Sequence, residues 1–271
     1  MLKQRVLSAI VMVLLLLVIL FAMPLWATRL LIAVIVCLAS WEWSALIPLR
    51  NPKGRAAAVL LVAAVFGFCW QLTQTQAVLI SLLWAAALWW TAALLWILWD
   101  AQRVSSQAAA LAGLLAIVPA GTALMRLRLD YVHGAAWLLL AVAVVAAADT
   151  GAYFAGRAFG RIKLAPNISP GKSWEGVVGG CLLAMLVGAV GATWLGSSGS
   201  SAWFAASLAA LIGAAYSVVG DLTESMLKRH AGVKDSGALL PGHGGLLDRF
   251  DSICAGVPVL MLCWIQFGVL R

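Results

Sequence analysis

The chain opens with MLKQRVLSAIVMVLLLLVILFAMPLWA, Met1 to Ala27, and the reading of this stretch sets the fold. A basic start, an apolar centre and small residues at the end are also the marks of a cleaved secretory leader. Here the apolar run is long and a second one follows almost at once, so we read it as a retained first membrane span. Similar runs recur along the chain. Of its 271 residues 64% are hydrophobic and 10% charged. Soluble chains are roughly a quarter charged, and no soluble core of this size could hide so much apolar surface. The expected fold class is all-α: a polytopic integral membrane protein with about nine transmembrane helices. The spans fall near 6–22, 27–47, 56–71, 76–98, 107–125, 134–156, 175–195, 202–227 and 252–270. The third is short, and the eighth is expected to leave the bilayer as a continuous helix. The 25 glycines and many alanines suit close helix approach.

Lysine and arginine set the orientation. With the N-terminus inside, 14 of the 18 basic residues fall on the cytoplasmic side, and only Arg29, Arg126, Arg128 and Arg271 fall outside. The loop RLRLDYVHG, Arg126 to Gly134, fits this arrangement least well. The net charge of +8 is assigned to cytoplasmic loops and anionic lipid headgroups, not to nucleic acid, because no soluble domain exists to carry a basic face. The five cysteines lie in or beside apolar runs without CxxC spacing, which reads as membrane-buried thiols. The 14 tryptophans are explained mainly by interfacial anchoring and lipid contact. Residues 1–133 are expected to supply scaffold helices, lipid contact and room for a homodimer interface. Residues 134–271 are expected to form the catalytic region of what is one structural domain overall.

Acids decide where the chemistry is. An aspartate at the bilayer centre costs about 2.5–3.5 kcal/mol on insertion scales, so an acid near membrane depth needs a partner or a purpose. Seven of the ten acids lie from Asp149 onward. In SVVGDLTESMLKR, Asp221, Glu224, Ser225 and Lys228 stand at i, i+3, i+4 and i+7, one face of a helix. A plain solvated helix end with a Glu224–Lys228 ion pair would look the same. Asp149, in AVVAAADTGAYFAGR, shares a face with Tyr153 and Gly156 and should point into the bundle or a wet cavity. In LAPNISPGKSWEGVVGG, Ser169 and Pro170 break the chain. Gly171, Lys172 and Ser173 then lead into a helix with Glu175 in its first turn. Free N–H groups, a positive helix end and Lys172 would bind an anion. The spacing is not that of a Walker loop, and Ser173 with Glu175 could equally be ordinary helix-start chemistry.

The most polar stretch is SMLKRHAGVKDSGALLPGHGGLLDRFDS, Ser225 to Ser252. Lys228, Arg229, Lys234 and Arg249 stand with Asp235, Asp248 and Asp251, and glycines 242, 244 and 245 surround His243. Glycine lets backbone approach a ligand closely, although His243 could be only a turn residue. Asp248 and Asp251 are three apart at the start of the last span, so one helix face can carry both. With Asp221 they offer a hard, all-oxygen site, which suits Mg²⁺ shared with substrate phosphates and does not suit zinc. Phosphate, metal and membrane together point to phosphoryl or nucleotidyl transfer.

The run from Ser225 to Asp251 resembles the signature of the phosphatidate cytidylyltransferase (CDP-diacylglycerol synthase) family. GDLTESMLKR, DTGAYFAGR and ISPGKSWEG resemble that family too, in the same order, so the likeness spans about Asp149 to Asp251. Ser173 departs mildly, standing where threonine is more usual. The resemblance implies a Mg²⁺-dependent transfer of CMP from CTP to phosphatidic acid, giving CDP-diacylglycerol and pyrophosphate for phospholipid biosynthesis. The enzyme would lie in a bacterial-type inner membrane, its site facing the cytoplasm between spans six and nine. On this reading Asp221 and Asp248 hold one or two Mg²⁺ ions, with Asp149, Glu224 and Asp251 as further ligands or orienters. Lys172, Lys228, Arg229, Lys234 and Arg249 bind phosphates, and Ser169, Ser173, Ser225 and His243 position substrate. Asp221, Asp248, Lys172 and Lys228 carry catalysis. The rival readings are an ion-coupled transporter, and a membrane transferase using another nucleotide or lipid phosphate.

Overall fold

The structure is a computed structural model that describes residues 2–47, 51–100, 104–197, 199–239 and 244–270, without the side chains of residues 2–9 and of Asp100. Among the described residues it contains nine helices: α1 (Leu2–Phe21), α2 (Leu25–Leu46), α3 (Pro52–Leu72), α4 (Gln76–Asp100), α5 (Ser106–Leu129), α6 (Gly134–Phe159), α7 (Trp174–Trp194), α8 (Ser200–His230) and α9 (Leu247–Gln266). They coincide with the nine apolar runs. Seven of them, α2 to α8, are long and apolar enough to cross a membrane. The protein is therefore an integral membrane protein. The helix α9 is as long as a span, yet its first turns carry Asp248, Arg249 and Asp251. As expected, α8 runs unbroken from its apolar part through Lys228 and Arg229. His243, Arg50, Arg103 and Arg271 lie outside the described residues, as do the side chains of Lys3 and Arg5.

Helix starts follow local chemistry. Pro52 occupies the first turn of α3, and the Asn51 side chain accepts the Lys53 N–H at 3.0 Å. Ser105 caps α5 by accepting the Ala108 N–H at 3.1 Å. By contrast, α9 starts after Leu246 with no cap from its own side chains.

The core runs through both halves of the chain. Almost all of α9 is buried, against α8, α5, α4, α6 and α2, and Trp264 meets Trp137 edge-on at 5.1 Å. The helix α5 is buried over most of its length as well. Outward faces stay apolar: Leu14, Leu60, Leu61, Leu88 and Leu186 are all exposed, as lipid contact requires. Glycine and alanine let α6 and α7 lie against each other, with Gly176, Gly179 and Gly180 facing the α6 backbone and its alanines.

Two findings differ from the sequence reading. The polar segment after α6 is not only a loop. It forms an antiparallel hairpin of β1 (Lys163–Ala165) and β2 (Ser169–Ser173), with Lys163 opposite Ser173 and Ala165 opposite Ser169. The second concerns Arg126, expected in a loop. It belongs to the last turn of α5 and is buried. Its guanidinium donates to Thr73 Oγ1 at 3.1 Å, to Asp130 Oδ1 at 3.2 Å and to the Trp70 carbonyl, tying α5 to the turn between α3 and α4. A charge that looked misplaced in an outside loop is thus an internal brace.

Candidate active site

The predicted face of α8 exists, and it is the spine of the site. Lys228 Nζ lies 3.1 Å from Glu224 Oε1 and 2.6 Å from Asp248 Oδ1. Glu224 is buried, as is most of Lys228, so one ammonium serves two carboxylates away from water. A turn earlier, Asp221 accepts the Ser225 hydroxyl on Oδ1 at 3.2 Å and meets Lys172 Nζ on Oδ2 at 2.6 Å.

The hairpin delivers Lys172. Ile168, at its tip, packs with Leu222 and Met226 of α8, and the Arg229 Nε–H donates to the Ile168 carbonyl at 3.4 Å. Where the hairpin runs into α7, Ser173 accepts the Gly176 N–H at 3.2 Å, and Glu175 accepts the Ile162 N–H at 3.2 Å. Ser173 therefore performs the helix-start chemistry, Glu175 reaches back to the residue before the hairpin, and Lys172 projects to an acid, Asp221.

The helix α9 supplies the opposite wall. Gly220 brings α8 close to it, since a Cβ there would run into the Asp251 carbonyl and the Ala255 side chain. Asp251 is buried, and its Oδ1 accepts the Ser252 N–H at 2.6 Å. The Ser252 hydroxyl donates to Asp149 Oδ1 at 3.4 Å, which links α9 to α6. Asp248 gathers the preceding loop: its oxygens accept the Gly245 N–H at 2.8 Å and the Ser236 N–H at 3.1 Å.

These groups share one cavity of about 300 Å³, lined by Asp149, Lys172, Ser173, Asp221, Asp248, Arg249 and Asp251, with Ala148, Ala152, Tyr153, Val177 and Val218 as its less polar side. Four of the five predicted acids, two of the predicted cations and Ser173 therefore meet. Glu224 stands behind the cavity, beside Lys228. Ser225 acts on Asp221 instead of lining the space. Arg229 lines a separate groove of about 700 Å³ beside the hairpin tip and the end of α4. Lys234 is exposed on the loop, and Ser169 is taken up in the hairpin. His243 lies outside the described residues.

One residue escaped sequence reasoning. Glu42, buried in α2, accepts the Leu247 N–H at 2.7 Å and the Ser236 hydroxyl at 3.2 Å. Only its position among apolar residues, between Trp41 and Trp43, could have flagged it.

A family model described as the cytidylyltransferase family matches residues 3–267. The chain belongs to that family. It is 40% identical to the phosphatidate cytidylyltransferase of Haemophilus influenzae, an alignment covering 95% of this chain and 96% of the relative. It is 40% identical to the phosphatidate cytidylyltransferase of Pseudomonas aeruginosa, with 97% of each chain covered. A shorter match, to the protein of the same name in Staphylococcus saprophyticus, is 41% identical over 56% of this chain and 58% of the relative. The resemblance read from Asp149 to Asp251 thus extends along nearly the whole chain of this cytidylyltransferase family member.

The donor set fits a hard cation in part. Asp149, Asp221, Asp248 and Asp251 bring only oxygen to the cavity, and among the described residues that line it there is no thiol or imidazole. Among the described residues no three of His, Cys, Asp and Glu stand close enough to hold a metal alone. Such a site suits Mg²⁺, which commonly takes one or two carboxylates and completes its shell with water and substrate phosphate.

Proposed function

We propose that this protein transfers CMP from CTP to phosphatidic acid, releasing pyrophosphate and leaving CDP-diacylglycerol in the membrane for phospholipid synthesis. The observation that carries the reading is the single cavity where acids and cations from α6, α8, α9 and the hairpin converge, beside an apolar wall. The names of the relatives that align along nearly the whole chain support it.

The chemistry asks little proton transfer of the protein. An ionised oxygen of the lipid phosphate attacks the α-phosphorus of CTP and forms the new P–O bond. The bond to the α–β bridging oxygen breaks, and that oxygen leaves with pyrophosphate. The difficulty is to hold two polyanions in contact, so positioning and charge neutralisation dominate. Lys172 and Arg249 face the cavity and would take phosphate oxygens, with Arg229 and Lys234 drawing the polyanion in from outside. Asp221 and Asp248 would hold Mg²⁺, supported by Asp149 and Asp251. The metal, when bound, would neutralise phosphate charge. Asp221 is the readier ligand, because each of its oxygens has one partner. Asp248, with Lys228 and two backbone N–H groups on it, would join by releasing one of them. Glu224 and Lys228 would then keep Asp248 in place, and Ser225 would orient Asp221. The excess of basic residues at this end of the bundle supports a site on the cytoplasmic face of the inner membrane.

The test uses the purified full chain in mixed micelles with phosphatidic acid and CTP labelled at the α-phosphate. Label should enter the lipid with one pyrophosphate released per lipid labelled, stop with a chelator and return with Mg²⁺. A transporter would release no pyrophosphate, and absence of lipid-linked label would end the proposal.

A further inference from the structure

We propose that Glu42, far from the signature segment in sequence, is a positioning residue that fixes the start of α9 and with it Asp248. The proposal rests on the reading of the site given above. The helix α9 begins with Asp248 in its first turn and no cap of its own. Its first N–H groups need acceptors, and a carboxylate placed there also meets the positive end of the helix. Glu42 supplies that carboxylate from another helix, accepting the Leu247 N–H at 2.7 Å.

The same oxygen, Oε2, accepts the Ser236 hydroxyl at 3.2 Å, while the Ser236 N–H goes to Asp248. Ser236 is therefore clasped by two carboxylates, one from α2 and one from α9. Gly245, at the far end of the loop, donates to Asp248 and lies so close that a Cβ there would collide with Glu42 Oε2 and Ser236 Oγ. The two ends of the glycine-rich loop are thereby pinched together at a neck, with Glu42 on one side and Asp248 on the other.

The post that carries Glu42 is itself braced. Trp43 Nε1–H donates to the Ala109 carbonyl at 2.8 Å, which pins α2 to α5. On the other flank, the Arg55 guanidinium lies 4.1 Å from the Trp41 ring centre and donates to the Trp41 carbonyl at 2.8 Å. Glu42 does not line the 300 Å³ cavity, so its reach to substrate is through Asp248 and Lys228. The N-terminal helices are on this view part of the catalytic apparatus by geometry, not only scaffold.

The experiment compares wild type, Glu42→Gln and Glu42→Ala as full chains in lipid nanodiscs, by hydrogen exchange and by steady-state kinetics. In Glu42→Ala the amides of Ser236, Gly245 and Leu247 should exchange about 10- to 100-fold faster, the size expected when a charge-assisted hydrogen bond is lost, with α2 unchanged. The kcat should fall by a similar factor, about 10- to 100-fold, while KM for phosphatidic acid changes by less than about threefold. Glu42→Gln keeps an acceptor oxygen and should recover most of kcat and of the protection. Unchanged exchange at the neck in Glu42→Ala overturns the proposal. So does a uniform loss of thermal stability, kcat and both KM values that Gln does not relieve. If Glu42→Ala does not fold, near-normal exchange and kcat in Glu42→Gln support the clamp, and kcat as low as background overturns it. A wild type without cytidylyl transfer would refute the proposed function, while the exchange data would still judge the clamp.

Discussion

Lys172 and Lys228 are both predicted phosphate binders, and the structure gives them different surroundings. The Lys172–Asp221 pair keeps 24% and 29% of its side-chain surfaces exposed, so it is worth little to stability and can exchange for substrate and cation. Lys228 keeps 11% exposed and is shared by Glu224, with 1%, and Asp248, with 9%. Removing it would strand two carboxylates. Lys228→Met should therefore destabilise the protein by about 3–5 kcal/mol, visible as a lower Tm in detergent. Lys172→Met should leave Tm within error and raise KM for CTP. If the two variants behave alike in both measurements, the division of labour between them is wrong. Asp221→Asn should stop turnover with the fold intact, and near-normal activity would remove Asp221 from the site. The spacing Asp221, Glu224, Ser225, Lys228 was legible beforehand because a helix puts i, i+3, i+4 and i+7 on one face. The partners across the fold were not, since nothing in a helical repeat says that Lys228 reaches Asp248. Glu42 was the least legible, because half of what it binds is a backbone N–H, which every residue except proline carries.

Elements follow the same division between local and distant causes. The nine helices were readable because a membrane leaves the backbone few other ways to satisfy itself. The hairpin was not. Its strands have three and five residues, and the second contains Pro170 and Gly171, both poor strand formers. Its pairing rests on tertiary support, with Ile168 on α8, and with the Trp174 N–H bonded to the Ile162 carbonyl at 2.9 Å. The contact of α8 with α9 at Gly220 is the element-level requirement of the site, because it sets Asp221 beside Asp251. A methyl there meets the Asp251 carbonyl, a backbone atom that cannot rotate away. Gly220→Ala should cost about 1–3 kcal/mol of stability and lower kcat. Gly67→Ala, in α3 with nothing within 4 Å of the added methyl, should leave both unchanged. Equal behaviour of the two variants would mean that the helix approach does not shape the site.

At the scale of the whole molecule, the cavity sits at the end of the bundle that holds the β1–β2 hairpin, the end of α8 and the start of α9, while Arg126, Asp130 and the Ser200 start of α8 mark the other end. With Arg126 accounted for as a buried brace, the exception that most troubled the charge asymmetry loses its weight as a topology signal. The remaining bias predicts that Lys234 faces the cytoplasm and Ser197 the opposite side. CTP would then enter from water at the loop, and the lipid from the bilayer past Tyr153, Val177 and Val218. Both statements are measurable in one preparation. A Lys234→Cys variant in inside-out vesicles should react with a membrane-impermeant maleimide, and a Ser197→Cys variant should react only in right-side-out vesicles or after permeabilisation. The native cysteines are half-buried or buried and serve as the background control. A phosphatidic acid with a photoreactive acyl chain should label peptides from α6, α7 and α8, and excess CTP should alter the yield only when Mg²⁺ is present. Reversed maleimide labelling would put the site on the wrong face for cytoplasmic CTP. Lipid labelling confined to α1 to α4 would separate the lipid path from the acids and break the link between this cavity and the reaction.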